Sequence, residues 1–368
     1  MIELDGSYGE GGGALVRVAL ALSTLTGQPF HVTNIRTGRE QAGLKAQHLA
    51  AIIALKKICQ AQTNEIQLGS TELSFQPGKI KSGRYEFDIG TAGSITLFLQ
   101  AIIIPCLFAP DKITLTIKGG TSGKWQASVD YLQQMLLPQL RRFVSRIEIK
   151  IFKRGYYPAG GGEIILKIAP KYPLKNLSIP ELLSTLSQKV SSINLQDQGK
   201  LEQIRGIIAV SQELEEKGVA QRIKQTSESL LRKYNIPLSL RTEYTKTLSV
   251  GGECVLWAIY SHNGKIDEHN PIIIGADALL EKNKSSEDVA KEAVDELISI
   301  LDSDACLDEH LLDQLLPFMA LLPGSKIMVK NLTPHAQTNI YVIEKFLAVQ
   351  FIIQEQRGGI MIECKKIE

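Results

Sequence analysis

Leu311-Leu-Asp-Gln-Leu-Leu-Pro-Phe-Met-Ala-Leu-Leu322, Pro323-Gly324, Ile327-Met-Val-Lys-Asn-Leu332, Thr333-Pro-His335-Ala-Gln-Thr-Asn339 and Ile340-Tyr-Val-Ile-Glu-Lys-Phe-Leu347 follow one another along the chain. They read as an apolar helix, a tight turn, a strand, a polar loop and a second helix. The loop holds a lone histidine, His335. Backbone amides at the start of the helix that leaves the loop would face any anion there. A neutral imidazole beside them is a competent nucleophile toward phosphorus near pH 7. The plainer reading is a turn histidine that caps the helix or binds water.

The same plan occurs twice more. In the first copy, helix Ala14 to Ser23 turns at Gly27-Gln-Pro29 and gives strand Phe30 to Ile35, loop Arg36-Thr-Gly-Arg39 and helix Leu44 to Cys59. In the second, helix Ile95 to Phe108 turns at Ala109-Pro-Asp111 and gives strand Ile113 to Ile117. Its loop is Gly119-Gly-Thr-Ser-Gly123, and a helix follows over Val129 to Phe143. Stacked copies of one unit share a core and gather equivalent loops at one end. Arg36, Arg39, Thr121 and His335 would then converge. Residues 184–278 differ in character, with a charged amphipathic helix around Lys224 to Tyr234 and a strand pair broken at Gly251-Gly252. The expected organisation is an α/β fold: a repeated scaffold over 1–183 and 279–368, with a small α/β domain inserted at 184–278.

The 368 residues are 44% hydrophobic and 22% charged, the balance of a soluble protein of two or three domains. A formal charge of +2 decides nothing about nucleic acid, because a local basic groove vanishes in a net sum. Five scattered cysteines without a CxxC pair read as buried thiols of a reducing interior. Met1-Ile-Glu-Leu-Asp-Gly-Ser runs straight into a first strand, and the most apolar run, Ile95 to Phe108, is too short to span a bilayer. A cytoplasmic protein without a membrane partner is expected, or a nuclear one in a eukaryote.

Several polar residues break apolar patterns. Asp5-Gly-Ser-Tyr-Gly-Glu10-Gly-Gly-Gly13 is a glycine-rich turn of the kind that lets amides approach phosphate. Glu10 would repel that phosphate unless a divalent metal bridged the two. Arg17 lies in an apolar helix one turn later, where an unpaired guanidinium is costly. Arg36 and Arg39 flank Thr37-Gly38, a fork suited to phosphate, and Gln47-His48 begin the next polar face. Asp88-Ile-Gly-Thr-Ala-Gly-Ser94 leads to Gln100, and Asp313-Gln314 interrupt another apolar helix. Solvated faces or internal salt bridges account for each of these singly.

Taken together, the motifs resemble the RNA 3′-terminal phosphate cyclases along nearly the whole chain. The matching residues are Asp5-Gly-x-x-Gly-Glu10-Gly-Gly-Gly13, Ile35-Arg-x-Gly-Arg39, Gln47-His48, Gly90-x-Ala-Gly-Ser94, Gly119-Gly-Thr121, Tyr157-Pro-Ala-Gly-Gly-Gly162 and His335-x-x-Thr-Asn339. The resemblance implies three units of two helices on a four-stranded sheet, with an inserted domain of thioredoxin-like topology. It implies that His335 attacks the α-phosphate of ATP and carries AMP. AMP would pass to an RNA 3′-phosphate, and the vicinal 2′-hydroxyl would close a 2′,3′-cyclic phosphate. By the same resemblance Glu10 would bind Mg²⁺ or Mn²⁺, while Gln100, His310, Asp313, Gln314, Thr338, Asn339 and Ala127 would surround the nucleotide. Arg17, Arg36, Arg39, Gln47 and His48 would hold ATP phosphates or the RNA terminus. The oligomeric state, a homodimer included, stays open.

The chain departs from the family pattern at two places. Trp125-Gln-Ala127-Ser has no proline where the family usually has Ala-Pro, and His310 stands where it has tyrosine. Both should touch the base, so a looser nucleotide preference is expected. Two other classes compete: a non-catalytic, cyclase-like ribosome-assembly factor, which would lack the histidine, and an enolpyruvyl transferase of similar repeated units.

Overall fold

β1 (Ile2–Asp5) runs through the glycine-rich turn into α1 (Ala14–Thr26), which returns the chain to β2 (Phe30–Thr33), parallel to β1. The helix stops where Gly27 takes φ 74°, a left-handed conformation that glycine adopts without penalty. α2 (Ala46–Cys59), β3 (Gln62–Thr63) and β4 (Leu73–Gln76) complete a sheet of order β1-β2-β4-β3. This computed structural model describes residues 1–175 and 177–367.

The next sheet has the same plan. β5 (Gly83–Asp88), α3 (Ile95–Leu107) and β6 (Ile113–Gly119) form a parallel pair with its crossover helix. The single helix expected over 129–143 is broken into α4 (Val129–Tyr131), a π turn over Leu132–Leu136, α5 (Leu137–Leu140) and a 3₁₀ turn over Arg141–Phe143. Pro138 offers a reason, since a proline ring clashes with the carbonyl four residues back in a regular helix. The Leu137 amide instead reaches five residues back to Leu132. β7 (Val144–Lys153) and β8 (Gly162–Pro170) close the order β5-β6-β8-β7.

After α6 (Ile179–Lys189) comes β9 (Asn194–Leu195), and then a sheet of a different order. It consists of β10 (Lys200–Ser211), α7 (Val219–Leu231), β11 (Leu238–Thr245), β12 (Gly252–Ser261), β13 (Ile273–Leu279) and α8 (Ser286–Leu301), with order β11-β10-β12-β13. α9 (Glu309–Leu321), β14 (Lys326–Val329), α10 (Pro334–Phe346), β15 (Val349–Gln356) and β16 (Gly359–Lys366) follow. β9 pairs in parallel with β14, giving the order β9-β14-β16-β15.

The α/β class is as expected, but the boundaries of the intervening sheet are not those read from the sequence. Its elements run from Lys200 to Leu301, later than 184–278 at both ends. The two-residue β9 belongs with β14, and α8 packs against β12, β13 and α7 through Val289, Ala293, Leu297 and Ile300. The strand pair expected around Gly251 is the single strand β12 after a turn. Arg154, just past β7, ties this sheet to its neighbour. Its guanidinium meets Glu253 at 3.0 Å and Glu243 at 3.1 Å, and also pairs with Asp130 of α4.

α1 and α3 are buried almost throughout, and α1 packs against both α3 and α10. All five cysteines are free and buried. Among the described residues no helix is long and apolar enough to cross a membrane. Loops that leave the carboxyl ends of the parallel strands β1, β2, β5, β6 and β14 all lead into helices, the usual place for a ligand site in such sheets.

Candidate active site

α10 starts at Pro334, not at Ile340, so His335 is its second residue rather than part of a preceding turn. Thr333 caps the helix by accepting a bond from the Ala336 amide at 2.8 Å, and Pro334 fits the first helical position because its missing N–H has no partner there anyway. The Thr333 hydroxyl donates to Asp313 at 2.7 Å, and the Asn339 amide donates to the Asp313 carbonyl at 2.9 Å. These bonds fix α10 on α9. His335 therefore stands at the positive end of a helix dipole.

The glycine-rich turn is pressed onto this helix. Tyr8 stacks on Tyr341 with ring centroids 3.9 Å apart, and Gly9 lies so close to Thr338 that a Cβ would come within 2.5 Å of its hydroxyl. The next residue, Glu10, then meets His335: Oε1 is 2.5 Å from Nδ1, and Oε2 accepts from Arg39 at 2.9 Å. The bond to Glu10 raises the His335 pKa above its ordinary value, against the opposing effect of burial. Burial alone would raise the Glu10 pKa, but the bond from His335 and the charges of His335, Arg39 and Arg17 outweigh it and leave it lowered. With Nδ1 committed to Glu10, Nε2 is the nitrogen left to react.

Behind Glu10 the guanidinium of Arg17 donates from Nε to Gln100 at 2.7 Å. Burial pulls its pKa down to about 10, though Glu10 and Asp313 oppose the shift. His48 is fully buried and accepts at Nδ1 from the Lys45 amide at 3.0 Å. Burial, then Arg17, Arg36 and Lys45, push its pKa to about 3, so it is neutral. Gly13 makes room for both side chains: a Cβ there would lie 2.4 Å from His48 Nε2 and 2.9 Å from Arg17 Nη1.

Glu10, Arg17, Arg36, Arg39, Gln47, His48 and His335 line one cleft of ≈ 830 Å³. The nucleotide set expected from the resemblance does not share it. Gln100, Asp313, Gln314 and Asn339 line a separate space of ≈ 20 Å³, enough for about one water. There Gln314 Oε1 and Asn339 Oδ1 have no hydrogen-bond partner among the described residues. His310 packs edge-on against Tyr131, 3.7 Å from the Asp277 carboxylate. Thr338 is buried and donates to the Pro334 carbonyl at 2.9 Å, and the buried Ala127 carbonyl accepts from Thr96 at 2.7 Å. Thr121 does not converge on the cleft: it is buried and bonded to Gly155. The sequence reading missed Lys45 and Lys124 in the lining, and it set the Trp125-Gln-Ala127-Ser stretch against the base of the nucleotide, whereas Trp125 lines the cleft of His335. Lys45, two residues before Gln47-His48, was the legible one.

The family model described as RNA 3′-terminal phosphate cyclase matches residues 8–353. This chain belongs to the RNA 3′-terminal phosphate cyclase family. Archaeal relatives bearing that name include those of Methanopyrus kandleri (39% identical, covering 97% of this chain and 96% of the relative) and Pyrococcus furiosus (38%, covering 98% and 96%). The one from Methanosarcina barkeri is 40% identical, with 97% and 98% covered. Among solved structures, an EPSP synthase from Acinetobacter baumannii aligns with 100% of this chain and 65% of its own, at 13% identity and a TM-score of 0.32. A likeness that slight carries no argument. The cyclase family implies ATP. Of the Glu10 oxygens, Oε2 is engaged by the Arg39 cation, while Oε1 faces His335, which is a cation only when protonated. No cluster of three His, Cys, Asp or Glu suited to a metal occurs among the described residues.

Proposed function

We propose that this protein uses ATP to convert an RNA 3′-terminal phosphate into a 2′,3′-cyclic phosphodiester. The observation that carries the reading is the His335–Glu10 pair at the mouth of α10, in a cleft lined by Arg17, Arg36 and Arg39 in a chain of the cyclase family. Nε2 of His335 attacks the α-phosphorus of ATP, the bond to the bridging oxygen breaks, and pyrophosphate leaves. The arginines and the amide end of α10 take up the charge that develops. An oxygen of the RNA 3′-phosphate then attacks the same phosphorus and frees the histidine, giving RNA(3′)pp(5′)A. The 2′-hydroxyl loses its proton and attacks the terminal RNA phosphorus, and AMP departs. Covalent catalysis replaces one poor condensation with three displacements that each have a good leaving group.

A cleft of this volume accommodates a nucleoside triphosphate. A divalent ion arriving with the triphosphate would meet the Glu10 carboxylate beside His335 in the cleft. The test is incubation with α-labelled ATP, followed by denaturation and counting of protein-bound label. Acid-labile, alkali-stable label on the wild type and none on His335→Ala is expected. Absence of label on a folded wild type, with RNA 3′-phosphate present, would overturn the reading and favour a non-catalytic assembly factor.

A further inference from the structure

Trp125 sits in a tight turn whose ends, Gly123 and Gln126, are bridged. Its φ is +60°, a left-handed conformation that is rare for a bulky residue and ordinarily assigned to glycine. Its indole is 93% exposed, whereas the chain's other tryptophan, Trp257 in β12, is 6% exposed. Backbone strain and a bare indole are two separate costs, and neither is offset by packing. Strain held at a ligand cleft is where function is to be sought. Trp125 lines the cleft that holds His335, and its neighbour Lys124 is tied to Glu281 at 2.8 Å, which steadies the turn.

We propose that Trp125 is a stacking platform for a nucleobase of the RNA strand, close behind the 3′-phosphate that enters the cleft. This rests on the reading of the cleft as an RNA-end site. An indole face stacks any base, so such a platform holds a strand without choosing its sequence. The cationic lining of Arg36, Arg39 and Lys45 suits the phosphates on either side. The cleft wall also continues outward: Ala92 abuts Gly160, in the turn that carries Tyr157, a ring 79% exposed.

The contrast in exposure makes Trp125 its own reporter. A short oligoribonucleotide with a 3′-phosphate is titrated into the full chain without ATP, with binding followed by anisotropy and tryptophan emission followed in parallel. Expected are quenching of emission and loss of acrylamide access, both absent in Trp125→Gly. That variant relieves the left-handed strain, so it should fold at least as well, and its affinity for the oligonucleotide should fall about tenfold. Trp125→Phe, which keeps a ring, should recover most of the affinity. Binding with unchanged emission, or unchanged affinity in Trp125→Gly, would overturn the platform alone. Quenching by ATP and none by RNA would assign the indole to the nucleotide and also overturn it. No RNA binding at all would remove the RNA-end reading and the platform together, whatever the outcome of the His335 labelling.

Discussion

Glu10 Oε1, 2.5 Å from His335 Nδ1, fixes which imidazole nitrogen faces the cleft and holds a proton on the ring more tightly than usual. A protonated imidazole cannot attack phosphorus. Labelling by ATP should therefore rise with pH through a midpoint above the ordinary histidine value of ~6.5. Glu10→Gln keeps the shape and removes the charge, so the midpoint of the pH–rate profile should move to more acidic pH. An unmoved midpoint would mean that Glu10 does not govern the nucleophile. His48 gives a separate test through stability. Its folded pKa of about 3 lies below the unfolded value of ~6.5, so as pH falls below that value the unfolded chain takes up a proton that the folded one refuses. The stabilisation is complete above pH ~6.5 and is lost toward acid, by about 1.4 kcal/mol per pH unit. Urea unfolding at a series of pH values should show a shallower acid loss in His48→Asn, whose amide oxygen can replace Nδ1 as acceptor for Lys45. His335, Glu10 and the arginines drew notice in the sequence through the order and spacing of the motifs that hold them, since each has a structural use when taken singly. The pairing of Glu10 with His335 was not, because it depends on how closely two loops 325 positions apart are pressed together by Tyr8 and Gly9.

The start of α10 is set by Thr333, whose hydroxyl serves the helix and Asp313 at once. Thr333→Ala should cost about 1 kcal/mol for the cap, and more for the bond to Asp313. A lower urea midpoint, with faster hydrogen exchange in the first turn of α10, is the expected result. Unchanged exchange there would show that Pro334 alone holds the end. Thr333-Pro334 is itself a written start signal for a helix, and weighing it above the polarity of the following residues would have placed the boundary correctly. Pro138 similarly forecasts a break in its helix, though not that a π turn absorbs it. β9 lay beyond reading, since two residues carry no periodicity and pair with a strand far along the chain.

Arg154 works between whole sheets, a single guanidinium set against Asp130, Glu243 and Glu253. Removing the cation of a buried ionic group typically costs about 3–5 kcal/mol, and here it strands the buried Asp130 and Glu253 without their partner. Arg154→Met should lower the denaturation midpoint accordingly and speed hydrogen exchange in β10 and β12. Equal exchange in both strands would show that apolar packing alone seats the sheet. The change of character after the second unit announced an intervening sheet, but its limits depended on which neighbours β9 and α8 chose. That division also governs biosynthesis. Leu195 waits 132 positions for Ile327, roughly 7–26 s at ordinary elongation rates. During that interval β9 is an unclaimed edge on the nascent chain, and the acid end of the cleft, Glu10, has long been made without its histidine. On the proposed mechanism, the nucleophile joins the cleft only when the final unit emerges.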